Sequence, residues 1–143
     1  MNQEFRRCLD GRKITLFEGV RGLAFKELSV AESDLSDAQA GYREGRFKWA
    51  TIQGYYAMFH AARALIFARG YREKSHYCLA VALGALYVEE GKLDVQATRD
   101  FLNAMRLREA ADYEAEFSES GAAAVIASAS SFIDKAKSIL QAK

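Results

Sequence analysis

The amino-acid sequence predicts an all-α protein, an antiparallel bundle of four to five helices in one domain, from three observations. The chain contains no proline, the residue that breaks helices because it lacks an N–H and clashes with the preceding turn. Apolar residues recur at steps of three and four through five segments, with glycines mostly between them. Half of the 143 residues are hydrophobic, which supplies a core for one domain that buries about two-thirds of its unfolded surface.

Residues 1–22 are mixed and slightly basic and read as an arm ahead of a helical domain spanning 23–143. Phe5, Leu9, Ile14, Leu16 and Phe17 give the arm enough apolar surface to pack on that domain. The first helix covers 23–41, where Leu28, Ala31, Leu35 and Ala38 form one stripe. The second covers 46–69. There Trp49, Ile52, Tyr56, Phe59, Arg63 and Ile66 repeat at helical steps and alanines fill much of the remaining surface. A helix apolar nearly all round belongs at the centre, and Gly70 ends it. A third helix over 75–90 starts at the cap Ser75 and turns Leu79, Ala82, Leu83, Leu86 and Tyr87 inward. The fourth, 95–113, follows the cap Asp94 and groups Thr98, Phe101, Leu102, Met105 and Arg108 on one face. The fifth, 119–141, follows Ser118, with Val125, Ala129, Phe132, Ala136 and Ile139 in a heptad-like rhythm. Short connections make neighbouring helices antiparallel.

The formal net charge is +1, so no global field favours nucleic acid. The charge is blocked instead, +5 over residues 43–76 and −5 over residues 77–119. Such blocks suit self-association or a charged partner, and they equally suit two solvated helix faces. Cys8 and Cys78 have no metal-type spacing and read as reduced thiols of a cytoplasmic protein. The first residues, MNQEFRRCLDGRKITLF, hold no signal-like apolar run. The apolar stretches fall short of the roughly 20 residues that a membrane span needs. No glycine-rich phosphate loop, metal cluster or nucleophile elbow stands in the sequence, so no cofactor and no metal is expected.

The second helix and the turn after it read ATIQGYYAMFHAARALIFARGYREKSH, and the fourth helix ends in RLREAADY. The ordered set Tyr55–Tyr56, Phe59–His60–Ala61–Ala62–Arg63, Gly70, Lys74–Ser75–His76, and Arg108 with Ala111–Asp112–Tyr113 resembles the HEPN family (higher eukaryotes and prokaryotes nucleotide-binding). The resemblance covers about residues 23–140. It implies a homodimeric bundle, and the excess apolar surface of the second helix together with the two charge blocks puts helix faces near 46–66 and 101–113 at the interface. Many proteins of this family are toxins paired with a small nucleotidyltransferase antitoxin, and many are metal-independent ribonucleases. Their signature is an arginine, four to six residues, then a histidine, with a tyrosine two positions later in one toxin group. Counted from Arg106, the histidine position holds Ala111 and the tyrosine position holds Tyr113. Alanine exchanges no proton. The resemblance therefore implies a protein that binds RNA or nucleotide phosphate, or a nucleotidyltransferase partner, with weak or no ribonuclease activity. In this frame Ala111→His restores cleavage.

The candidate catalytic residues are Arg106, Arg108 and Tyr113, and the candidate phosphate-binding residues are Arg106, Arg108, Lys74 and His76. Arg108 and Asp112, four apart, can instead pair on one helix face. Asp112 and Tyr113 are candidates for partner contact or modification. His60 reads as a packed core histidine satisfied by a neighbour, and His76 as a cap or an anion contact at a helix start. A ribonuclease that uses His76 or His60 is the remaining enzymatic alternative, and a purely structural module docking a nucleotidyltransferase is the non-enzymatic one. Tyr55, Tyr56 and Trp49 read as core or dimer surface. Arg69 and His76 also fit the arginine-to-histidine spacing, but they span a glycine turn.

Overall fold

The computed structural model describes residues 2–142, so the outermost residue of each expected range, 1 and 143, lies outside the described residues. Helix α3, Phe47–Ala68, is the axis of the fold. Fourteen of its residues are buried, as an apolar circumference requires. It packs chiefly against α2 (Ala24–Arg43) and α6 (Glu119–Gln141). A three-residue turn around Gly45, at φ +78°, reverses the chain between α2 and α3. The α3–α6 approach is close because Gly54 has no side chain. A Cβ there would stand 2.9 Å from Val125 Cγ1. Gly70, at φ +83°, ends α3.

The remaining helices begin where their caps dictate. Ser75 accepts from the Cys78 amide at the start of α4 (His76–Leu83). Asp94 accepts from the Gln96 amide at the start of α5 (Val95–Tyr113), and Ser118 from the Gly121 amide at the start of α6. Each oxygen satisfies one otherwise orphaned N–H. Helix α4 continues through a π-helical turn, Gly84–Val88, which buries Leu86 and Tyr87. The inward face of α5 departs from the expected one. Ala97, Phe101, Ala104, Arg108 and Ala111 are buried, while Thr98, Leu102 and Met105 flank them.

The arm is ordered. It forms α1 (Gln3–Asp10), a short strand β1 (Ile14–Leu16) and a 3₁₀ turn (Glu18–Leu23). β1 pairs antiparallel with β2 (Tyr71–Glu73), with Ile14 opposite Glu73 and Leu16 opposite Tyr71. The helical expectation omitted this ribbon. Arg21 donates to the carbonyls of Ala68 at 2.9 Å and Arg69 at 3.3 Å, so the arm also caps the C-terminal end of α3. The expectation of two free thiols is corrected: Cys8 of α1 and Cys78 of α4 form a disulfide. Their 70-residue separation carries no spacing signal, and the ribbon and α1 packing bring them together.

Phe59 lies in this core, with the Arg63 guanidinium 4.8 Å from its ring centre. Phe59→Ala is expected to destabilise the fold by about 3–5 kcal/mol in chemical denaturation. A loss below about 1 kcal/mol is the behaviour of a surface position and would refute the assignment.

Candidate functional site

Two polar clusters interrupt the apolar core. The first is built on α3 and holds the fold. Arg63 donates from Nε and Nη2 to the Glu73 carboxylate at 3.1 and 2.7 Å, and from Nη1 to Glu27 at 3.0 Å. Burial works against its charge, and the bonds to Glu73 first and Glu27 second together outweigh that and hold the guanidinium protonated. His60 Nδ1 donates to the other Glu27 oxygen at 3.2 Å, and Asp34 lies 3.8 Å from His60 Nε2. His60 is therefore a packed histidine satisfied across the α2–α3 contact. A pocket of about 300 Å³ opens above Arg63, between Lys26, Glu27, Phe67 and Arg72.

The second cluster is made where the start of α4 meets the end of α5 over α3. Tyr55 of α3 is fully buried, and its hydroxyl shares a 2.5 Å hydrogen bond with His76 Nδ1. The His76 ring stacks on Phe59, with centres 4.5 Å apart, and meets Tyr56 edge-on at 6.4 Å. Burial raises the Tyr55 phenol well above its ordinary value, so the hydroxyl keeps its proton. With that proton assigned to the bond, Nδ1 accepts and Nε2 carries the imidazole hydrogen. His76 titrates below its ordinary value, first because burial disfavours its charge and then because Arg108 is nearby. It is neutral at pH 7.

Arg108 closes the cluster. Its guanidinium carbon stands 5.2 Å from the Tyr55 ring centre and 5.8 Å from each of Tyr56 and Tyr113, a cation held against three aromatic rings. The residue is 8% exposed. Asp112 approaches Nη1 only to 3.8 Å, too far for a hydrogen bond, and the buried Nε has no partner among the described residues. Buried donors are ordinarily satisfied, so one that is not calls for an explanation. Tyr113, 76% exposed, opens the cluster to the surface.

The structure therefore brings together Arg108, His76, Tyr113 and Asp112 from the sequence candidates. It does not bring in Arg106, which is exposed and donates to Asn103. Two residues apart on a helix, Arg106 and Arg108 point to nearly opposite sides. Lys74 is exposed just ahead of α4, where its amide donates to the Lys13 carbonyl. His76 is the first residue of α4 and not its cap, and it is partly buried, its ring turned toward Tyr55. Arg69 is engaged elsewhere, on the Leu86 carbonyl and on Glu90, so its spacing to His76 has no counterpart in space.

The position expected to hold the missing histidine lies in the interior. Ala111 is fully buried, and an imidazole there would overpack the interior rather than face a substrate. Ala111→His is expected to destabilise the protein instead of creating a catalyst. Counted from Arg108, the arginine that faces inward, a four-residue gap ends at Tyr113. Sequence reasoning missed Tyr55 as the partner of His76. The available signal was its hydroxyl on the most apolar helix, because a buried Tyr needs a hydrogen-bond partner.

Residues 26–141 match the HEPN domain family. Among curated proteins, a "Putative toxin" of Methanocaldococcus jannaschii is 30% identical over 115 residues, covering 80% of this chain and 86% of that one. A second protein of that organism with the same designation is 25% identical over 120 residues, covering 82% of each chain. A "UPF0332 protein" of Gloeobacter violaceus is 31% identical over 113 residues, covering 77% of this chain and 90% of that one. No helix among the described residues is long and apolar enough to cross a membrane.

The partly buried imidazole has a consequence for stability against pH. His76 is lowered in the fold, so the unfolded chain takes up this proton more readily than the folded one. The penalty is absent above the ordinary histidine value of about 6.5 and grows as pH falls below it. His76→Gln should therefore lose less melting temperature than wild type between about pH 7 and about pH 5. Equal losses in the two proteins would mean that the imidazole is solvated.

Proposed function

The chain belongs to the HEPN domain family, and from that premise we propose that it is a toxin-type protein of a prokaryotic toxin–antitoxin or defence system. In this reading it acts in the cytoplasm as a homodimer that grips RNA phosphate through Arg108 and cleaves RNA slowly or not at all. The observation that carries the reading is the Arg108 guanidinium, held against three tyrosine rings, with the Asp112 carboxylate no nearer than 3.8 Å and Nε without a hydrogen-bond partner among the described residues. A guanidinium offers phosphate two parallel hydrogen bonds. The exposed Tyr113 beside it offers a base a stacking face. The names of the M. jannaschii relatives support the toxin class.

The expectation of weak chemistry follows from the same cluster. Cleavage of this kind needs a group that accepts a proton from a 2′-hydroxyl near neutral pH. His76 is neutral, but its accepting nitrogen is held by Tyr55, leaving an N–H that serves as a phosphate donor. Tyr113, in the position of the expected histidine counted from Arg108, carries a phenol whose ordinary pKa of about 10 suits it poorly as a base. The site is thus equipped to bind more than to turn over.

The test is binding and cleavage of a mixed-sequence single-stranded RNA by wild type, Arg108→Ala, Arg108→Lys, Arg106→Ala and His76→Ala, each checked for folding by circular dichroism. Arg108→Ala is expected to weaken binding by about tenfold or more, the value of a lost charged hydrogen bond. Arg108→Lys should fall between, and Arg106→Ala should match wild type. Efficient wild-type cleavage that disappears in His76→Ala would replace this reading with an active ribonuclease. Unchanged RNA binding in folded Arg108→Ala would make the arginine structural and the protein an interaction module for a nucleotidyltransferase.

A further inference from the structure

The arm precedes the stretch that matches the family, which begins at residue 26, yet it is covalently tied to the helix that carries His76. The tie is Cys8–Cys78, two residues beyond His76. Both cysteines are buried, but a surface pocket of about 190 Å³ reaches them, walled by Glu4, Arg7, Lys13 and Tyr77. Two cations against one carboxylate border that pocket. A sulfur leaving as thiolate is stabilised by nearby positive charge.

We infer that Cys8–Cys78 is a thiol–disulfide exchange site, opened by a dithiol reductant that enters through this pocket, and that its opening releases α1 from α4. In the first step a reductant thiolate attacks one cysteine sulfur. The S–S bond breaks, and the other sulfur leaves as a thiolate beside Arg7 and Lys13 and takes a proton. The reductant's second thiolate then attacks the mixed disulfide and frees the first cysteine, which is protonated in turn. Two electrons pass to the cysteine pair, and the reductant ends as its own disulfide.

What the bond holds is limited to α1. At eight residues, that helix is too short to persist alone. It buries only Phe5 and Cys8. Its other ties are Leu9, partly buried against the core, the Phe5 ring against Tyr71, the Tyr77 hydroxyl donating to Glu4 at 2.5 Å and Asn2 donating to Glu89 at 2.7 Å. The rest of the arm has separate anchors: the β1–β2 ribbon, the Phe17 amide on the Gly70 carbonyl at 2.6 Å, and Arg21 on the end of α3. Reduction therefore frees α1 and removes its contacts with Tyr77 and the first turn of α4, while β1 stays paired.

The experiment uses the full chain without denaturant. Wild type is treated with oxidised glutathione, with dithiothreitol or with reduced thioredoxin, and compared with Cys8→Ser and Cys78→Ser. Alkylation with iodoacetamide counts thiols, circular dichroism monitors the helices, and amide hydrogen exchange follows each segment. Both reductants are expected to expose two alkylatable thiols with the helical signal retained. Protection over residues 3–10 should fall by about tenfold or more, while that of residues 14–16 and of α3 holds; the serine variants should match reduced wild type. The inference is overturned if the thiols react only after denaturant, if glutathione-oxidised wild type carries two free thiols, or if residues 3–10 exchange alike in every state. Loss of protection throughout the serine variants would also overturn it, since the bond would then support the whole fold. These readouts involve no RNA, so they stand or fall separately from the Arg108 reading.

Discussion

The clamp of Arg63 between Glu27 and Glu73 is the constraint on which the rest of the structure depends. A guanidinium on an otherwise apolar central helix can stay only if its charge is matched and its N–H groups are engaged. Glu27 supplies this from α2 and Glu73 from β2, so one side chain fixes three elements at once. Because Glu73 must sit against Arg63, β2 lies along α3 and presents its outer edge to β1. The chain then enters α4 two residues later, at the cap Ser75. That entry point places His76 over Tyr55 and Phe59. The arm, the ribbon and the second cluster all inherit their position from this ion pair.

The second cluster shows how burial selects among chemistries. Aromatic rings from α3 hold His76 and Arg108 in fixed orientation, the feature on which the proposed phosphate contact rests. The same burial lowers the histidine and engages the nitrogen that a base would need. Arg108 lies beside it against aromatic rings, where the interaction of a guanidinium with an anion is stronger than in water. In the proposed reading, preorganised binding and poor proton transfer are two consequences of one arrangement of residues.

Much of this was legible in the sequence, and the reasons differ by element. The caps Ser75, Asp94 and Ser118 were readable because a cap is a contact within three residues. The stripes of α2 and α6 were readable because large and small apolar residues agree on one phase. In α5 they disagree. Its buried positions include Ala97, Ala104 and Ala111, chosen because a close helix contact admits only small side chains, whereas Leu102 and Met105 beside them carry more hydrophobic weight. The expected histidine position at Ala111 came from counting the motif from Arg106, and a spacing count carries no information on which helix face is buried. The ribbon and the disulfide escaped for another reason. Each joins segments more than fifty residues apart, and three-residue strands leave no periodicity to read.

The central claim is that Arg108, and not Arg106, meets RNA phosphate. It is tested most directly by following arginine Nε–Hε resonances in an isotopically labelled sample during titration with a short single-stranded RNA. The account predicts a shift and slowed solvent exchange of the Arg108 signal at stoichiometric RNA, with the Arg106 signal unmoved. A saturable response of Arg106 while Arg108 stays still would contradict it.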